Sequence, residues 1–356
     1  MAVALAPDDV VRTRAEGAAN DREPLLVLEG LLPFLDAHGL GAGEPEIAPV
    51  GDGHSNVTFA VTRGDARFVV RRPPRGPLPP SAHDVLREAR VLRALAGHAR
   101  VPAVLAVCDD PAVVGAPFYV MELVDGHVLT SAVPPELDDP AEKRRIGEEL
   151  VDTLVEIHAA DGPSLAPFRR PGSYLERQVR RFTQLWDINK TREIPEVDEV
   201  ARRLAAQLPE PLPDTVVHGD YRLGNMMVAR EEPTRIVAVL DWEMGAIGDP
   251  RADVGYLLAT YSEPNGRFSP LGSSPVTAEP GFPTRAQLVE RYVARCGRDV
   301  EPLGWFEALA LWKAAVFCEA IDGRFIRGEL GAEDTRAAIF EHAVPLLAQT
   351  ALEAVT

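Results

Sequence analysis

The sequence predicts an α+β protein of two lobes, the first a small antiparallel sheet carrying one helix and the second larger and mainly helical. Three observations predict it. At 356 residues the chain exceeds a single minimal core and fits two lobes. From Val50 to Gly126 short valine-rich runs are punctuated by glycine turns. Beyond Gly126 apolar residues recur at three- and four-residue spacing instead. The boundary is therefore expected there, with an N-terminal lobe over 1–125 and a C-terminal lobe over 126–356.

In chain order, residues 1–22 show no sustained period and are expected to be frayed or partly helical. Leu25, Leu28, Leu31, Leu32 and Leu35 then mark a helix with one apolar face over 24–38, ended by Gly39. Residues 50–61 read as a strand, a glycine turn and a second strand, and 67–71 return as a third after the turn at Gly64-Asp65. Val85, Leu86, Ala89, Leu92 and Leu95 predict a helix over 83–95, and 101–107 and 117–126 read as two further strands and a crossing segment. Past the boundary, Ile146, Leu150, Leu154 and Ile157 share one helical face over 139–158, with Asp139-Pro140 as cap and first turn. A helix pair is expected over 171–206, and further helices over 284–296, 303–321 and 332–348, the last kinked at Pro345. The Pro/Gly/Ser-rich stretch 261–284 is too long for a simple connection and is read as a cover over the substrate.

Composition narrows the partners. A net charge of −17 repels the phosphates of nucleic acid and of anionic membranes, which leaves a small molecule as the expected partner. The three cysteines, Cys108, Cys296 and Cys318, are far apart and form no Cys-x-x-Cys pair, so neither a disulfide framework nor a zinc site is indicated. No apolar run reaches the roughly 18 residues of a spanning helix, and no basic-then-apolar leader pattern opens the chain, so a cytoplasmic location is expected.

The chemistry concentrates in residues 216–255, where short apolar runs broken by polar turns place His218, Asp220, Asn225 and Asp241 at strand ends and bends. An Asp followed five residues later by an Asn, and then by an Asp on an apolar strand, supplies one carboxylate for a nucleophile and two oxygen ligands for a hard cation. Phosphoryl transfer to an alcohol needs that set: a base that orients the hydroxyl and a cation that draws charge from the phosphates. Read singly, Asp249 before Pro250 is a turn former, and Asp253 ahead of the apolar run 254–258 is a helix cap; both are expected to buttress the site.

His218-Gly219-Asp220-Tyr221-Arg222-Leu223-Gly224-Asn225 resembles the catalytic loop of the aminoglycoside phosphotransferase family, also called the phosphotransferase enzyme family, the small-molecule branch of the protein-kinase-like fold. Asp241-Trp242-Glu243, followed by Gly248-Asp249-Pro250 and Asp253, resembles that family's metal-binding segment. The resemblance implies a bilobal kinase-like fold with ATP, or GTP, between the lobes. It makes Asp220 the catalytic base, Asn225 and Asp241 the Mg²⁺ ligands, and His218 a packed holder of the loop. Gly53, Ser55 and Asn56 would then fold over the phosphates. Arg71 stands by strand phase where such folds carry a lysine, with Glu88 as its ion-pair partner, and the Glu122 carbonyl and Val124 N–H would bind adenine.

Arg71 is not an ammonium, but its planar fork can bridge phosphate and carboxylate. The run from Arg71 to Asp84 and the Val-Met-Glu-x-Val-x-Gly segment resemble the kinase-like domains fused to some acyl-CoA dehydrogenases, which implies a hydroxyacyl or other lipid-like alcohol as acceptor. An antibiotic O-phosphotransferase is the alternative, and a nucleotide-binding pseudokinase, motivated by Arg71, is the rival from another class. A hydrolase fails, because Val57 stands where the Gly53-His54-Ser55 pattern needs a second glycine.

Overall fold

The structure, a computed structural model, describes residues 6, 8–51, 56–76, 83–231, 234–264, 266, 269–272, 274–328 and 337–355, with the side chains of 337–339 excepted. The chain divides into two compact units, Met1–Ala96 with Val101–Asp125, and Gly97–Arg100 with Gly126–Thr356.

In the first unit, β1 (Val10–Val11) pairs in parallel with β2 (Leu26–Val27), and α1 (Arg14–Ala18) lies between them in sequence. The expected helix over 24–38 is thus a short strand followed by α2 (Leu28–Ala37), whose Leu31 and Leu35 are buried. Gly39 takes φ +66° just beyond it, a conformation that glycine adopts without a Cβ penalty.

A five-stranded antiparallel sheet follows, built from β3 (Glu46–Val50), β4 (Val57–Arg63), β5 (Ala66–Arg72), β6 (Val104–Cys108) and β7 (Phe118–Glu122) in the order β3-β4-β5-β7-β6. Helix α3 (Val85–Leu95) packs against β6 and β7, and Asp84 caps it by accepting from the Arg87 N–H. The core joins Phe59, Val61, Phe68, Val70, Phe118 and Val120 of the sheet to Leu31 and Leu35 of α2.

The second unit carries α4 (Pro140–Ala159), α5 (Tyr174–Asn189), α6 (Pro195–Ala206), β8 (Thr215–Val217), β9 (Met226–Val228), β10 (Ile236–Val239), β11 (Ala246–Gly248), α7 (Arg251–Thr260), α8 (Arg285–Cys296), α9 (Leu303–Ile326) and α10 (Ala337–Ala354). Proline at the first position of α4 needs no N–H partner, and the Asp139 carboxylate caps the next N–H. A capping box of Thr284 and Gln287 opens α8. Its main core is built from Phe182, Trp186, Trp305, Phe306 and Trp312, closed by Val344, Leu347 and Ala351 of α10. Among the described residues no helix is long and apolar enough to cross a membrane.

The long stretch 261–284 is less loose than its composition suggests. Tyr261 bridges to Ser274, and the Tyr261 hydroxyl donates to the Pro283 carbonyl at 2.7 Å. Buried Thr277 accepts from the Ser262 N–H at 2.9 Å and donates back to its carbonyl at 2.8 Å. Serine and threonine hydroxyls take over the backbone pairing that a sheet would provide.

Candidate active site

Two strand pairs build the site in the second unit. Val217 at the end of β8 faces Ala246 at the start of β11, and Met226 at the start of β9 faces Val239 at the end of β10. Loops 218–225 and 240–245 are thereby closed by neighbouring cross-strand pairs. Helix α4 anchors β10, since Glu149 accepts from the Ile236 N–H at 3.1 Å and Glu142 from the Thr234 N–H at 2.8 Å. Arg100 joins the same arrangement, donating to Glu149 at 2.6 Å and to the Ile236 carbonyl at 2.7 Å.

His218 is fully buried. Its Nε2 donates to the Leu240 carbonyl at 2.9 Å, and its Nδ1 accepts from the Asp220 N–H at 3.2 Å. A ring that donates at one nitrogen and accepts at the other has its tautomer set by those partners. Leu240 also donates its N–H to the Asn225 carbonyl at 2.8 Å. Loop 218–225 is therefore bonded on both sides to the residue preceding Asp241.

Asp220 and Asn225 meet directly. The Asn225 Nδ2 donates to Asp220 Oδ2 at 2.7 Å and to the Asp220 carbonyl at 2.8 Å. Both partners are acceptors, so the amide orientation is determined and Oδ1 is the atom presented for other uses. Arg222 Nε lies 3.6 Å from Asp220 Oδ1. Tyr256 of α7 also bonds to Asp220: burial, then the charge and hydrogen bond of that carboxylate, hold the phenol well above its ordinary range. Asp241 has φ +64° and ψ 62°, a left-handed conformation that is uncommon for a residue with a Cβ. Such strain costs about 1–3 kcal/mol and collects at functional sites.

Asp253 is fully buried and does not cap α7, as its place before an apolar run suggested; it lies within the first helical turn. Its carboxylate instead accepts from the backbone N–H groups of His218 at 2.7 Å and Gly219 at 2.8 Å, and from His158 Nε2 at 3.3 Å. Burial opposes its ionisation, but the His158 bond, the two histidines and the Gly219 N–H outweigh it and hold the carboxyl below its ordinary value. Gly219 has φ +85°, and a Cβ there would come within 2.9 Å of the Met244 Cβ, so the loop requires glycine. Asp249 forms a buried two-point pair with Arg251, at 3.0 and 2.7 Å, and also accepts from the Leu212 N–H at 3.1 Å. Arg251 carries this hold on to the carbonyls of Glu210 and Glu301.

In the first unit Arg71 is the arginine that reaches Glu88, at 2.9 Å, and it also donates to Thr58 Oγ1 at 3.1 Å. Arg72 turns the other way, into the carbonyls of Pro73 and Val114. Asn56 is buried with Nδ2 3.4 Å from Glu88 Oε2. Glu122 closes β7 with its N–H donated to the Ala103 carbonyl at 2.8 Å, and Val124 follows it outside the strand. Gly53 and Ser55 lie outside the described residues.

His158 is a site residue that sequence reasoning missed. It repeats the four-residue spacing of Ile146, Leu150 and Leu154, and a histidine on that apolar stripe was the signal. Its Nδ1 also bonds to the buried Tyr292 hydroxyl at 2.6 Å, which ties α8 to the loop network.

Comparison with known proteins shows the family of the chain. Acyl-CoA dehydrogenase family member 11 of Rattus norvegicus is 32% identical over 359 residues, covering 97% of this chain and 45% of that protein. The Gallus gallus protein of the same name is 34% identical over 323 residues, 88% of this chain and 40% of that protein. The chain thus spans less than half the length of these curated relatives. A Ralstonia eutropha JMP134 crystal structure, provisionally assigned to the aminoglycoside phosphotransferases, is 29% identical with a TM-score of 0.76, over 93% of this chain and 98% of that one.

Two more distant structures share the fold. One is an aminoglycoside phosphotransferase with GDP and kanamycin, 17% identical with a TM-score of 0.59 over 91% of this chain and 98% of that one. The other is choline kinase of Cryptosporidium parvum Iowa II, 14% identical with a TM-score of 0.60 over 91% and 95%. The phosphotransferase enzyme family model matches residues 46–272, well over half the chain. The chain belongs to the phosphotransferase enzyme family and has its kinase-like α+β fold.

Proposed function

We propose that the protein transfers the γ-phosphoryl group of ATP to the hydroxyl of a small molecule, with a hydroxyacyl or other lipid-like alcohol as acceptor. The observation that carries the reading is the Asp220–Asn225 pair, joined through Leu240 to a left-handed Asp241. Asp220 orients the acceptor hydroxyl and takes its proton. Asn225 Oδ1 and the Asp241 carboxylate would hold Mg²⁺; two protein oxygens suit an ion that keeps phosphate oxygens and water for its other positions. Among the described residues no three His, Cys, Asp or Glu side chains cluster as a metal cage, and this ligation needs none. The cation, when bound, withdraws charge from the phosphate oxygens. Arg71, held by Glu88 and Thr58, would place its guanidinium charge for phosphate, and Gly53, Ser55 and Asn56 belong to the same phosphate-binding reading. Glu122 and Val124 would take the base by main chain. His218, Asp249 and Asp253 support the site without touching substrate.

The relatives support the acceptor class without fixing it. Their names place them among acyl-CoA dehydrogenases, which supports an acyl-chain alcohol over an aminoglycoside. GTP is the alternative donor, since a neighbour of the same fold holds GDP.

The test is calorimetric titration of ATP and GTP with and without Mg²⁺, followed by phosphoryl transfer to a panel of hydroxyacyl compounds, aminoglycosides and choline. Wild type should bind nucleotide in a Mg²⁺-dependent manner, and Asp241→Ala should lose that dependence and at least about tenfold in affinity. Mg²⁺-dependent affinity unchanged in Asp241→Ala would remove Asp241 from the ligand set.

A further inference from the structure

Lys313 is the only charged residue between Glu307 and Glu319, in the apolar middle of α9. It is 8% exposed, and its Nζ stands 4.9 Å from the centroid of the Phe182 ring. The other buried lysine and the buried arginine described in this unit are ion-paired, Lys143 with Asp138 and Glu279, and Arg251 with Asp249. Of these three buried lysine and arginine side chains, Lys313 alone has no oxygen partner among the described residues. A mostly buried ammonium with no protein acceptor is left to water or to an oxyanion that another molecule brings.

Its surroundings say which molecule. Burial pulls the ammonium down to about 8, opposed by the charges of Asp253 and Asp220, so it stays mostly protonated at neutral pH. Arg181 adds a second positive charge to that field. The Asp220 charge thus reaches Lys313, and helix α9 packs on α7, whose Tyr256 bonds to Asp220. One helical turn further along, Phe317 is 41% exposed and packs edge-on against Phe182 with centroids 5.1 Å apart. A cation and two aromatic rings therefore stand together within the electrostatic reach of Asp220. That combination matches an acceptor with a hydrocarbon segment and an oxyanion, and it opposes a polyamine.

We propose that Lys313 is a specificity residue for the acceptor: its ammonium takes a carboxylate oxygen of a hydroxy acid whose hydroxyl stands at Asp220, with the exposed Phe317, backed by the buried Phe182, against the hydrocarbon. The inference rests on the phosphotransferase reading for the place of the hydroxyl. It does not need that reading for the anion.

The test uses the whole chain as wild type, Lys313→Met and Lys313→Arg. The probes are ω-hydroxy carboxylates of short and medium length and the diols of equal length, with binding by calorimetry, transfer by steady-state kinetics, and thermal unfolding without ligand. Wild type should prefer each acid to its diol by at least about tenfold, in KM more than in kcat. Lys313→Arg should retain that preference. Lys313→Met should lose it with diol affinity unchanged, and should unfold at or above the wild-type temperature, because it removes a mostly buried charge that has no protein acceptor.

Equal binding of acids and diols by wild type, or no acid binding at all, overturns the inference. So does a fall of several degrees in Lys313→Met, which would make the lysine a counter-ion to Asp253 and Asp220. Acid binding that depends on Lys313 without any phosphoryl transfer keeps the inference and removes the phosphotransferase reading. Transfer indifferent to Lys313 does the reverse.

Discussion

Asp220→Asn is expected to lower turnover by roughly 10²–10⁴-fold, the usual contribution of a positioned general base, with MgATP affinity almost unchanged. The substitution is nearly isosteric. Asn225 Nδ2 donates to Asp220 Oδ2 and to the Asp220 carbonyl, and an amide oxygen at position 220 can still accept the first bond while the second is main chain. The loop should therefore keep its shape and lose only the basic oxygen. Steady-state transfer rates beside nucleotide titration separate the two effects. Undiminished transfer to the true acceptor would show that Asp220 is not the base.

Asp253→Ala is expected to have the largest effect on stability, about 3–5 kcal/mol, because it strips one buried acceptor from three donors at once. The N–H groups of His218 and Gly219 and the Nε2 of His158 all converge on that carboxylate. Urea unfolding of wild type and variant measures the loss, and a difference under about 1 kcal/mol would mean that water replaces the carboxylate.

The pH dependence has a definite sign. The folded carboxyl lies below the ordinary value of 3.8, so its contribution is complete above that pH and is lost as pH falls below it toward the lower folded value. The stability of Asp253→Ala should accordingly fall less steeply than that of wild type below about pH 4.

The fold was legible where local patterning decides it. Short valine-rich runs on either side of the Gly64-Asp65 turn mark β4 and β5, while β3 ends at Val50, where the first strand was expected to begin, and Asp139-Pro140 marks the start of α4. The 218–225 and 241–253 motifs mark the candidate site because the proposed phosphoryl transfer needs carboxylate and amide oxygens at fixed chain separations. Contacts decided only by tertiary packing left no such trace. Asp253 has the sequence context of a cap, yet its partners lie 34 and 35 residues earlier in the chain. His158 is separated from Asp253 by 95 residues, and Lys313 from its Phe182 contact by an intervening run of helices and strands. The β1–β2 pair was unreadable for a different reason: strands of two residues each are too short to show a period.

Leu240 contributes to the site through its main chain alone, accepting from His218 and donating to Asn225. Every residue except proline carries both of those groups. Natural variants can therefore exchange the half-buried side chain at 240 among apolar types without altering either bond, and diversity at that position would carry no information about activity. The point through which the halves of the motif are joined is the one least marked by side-chain identity. A survey of variation that scores residues by their side chains would rank it as ordinary, although a proline there would break the bond to Asn225.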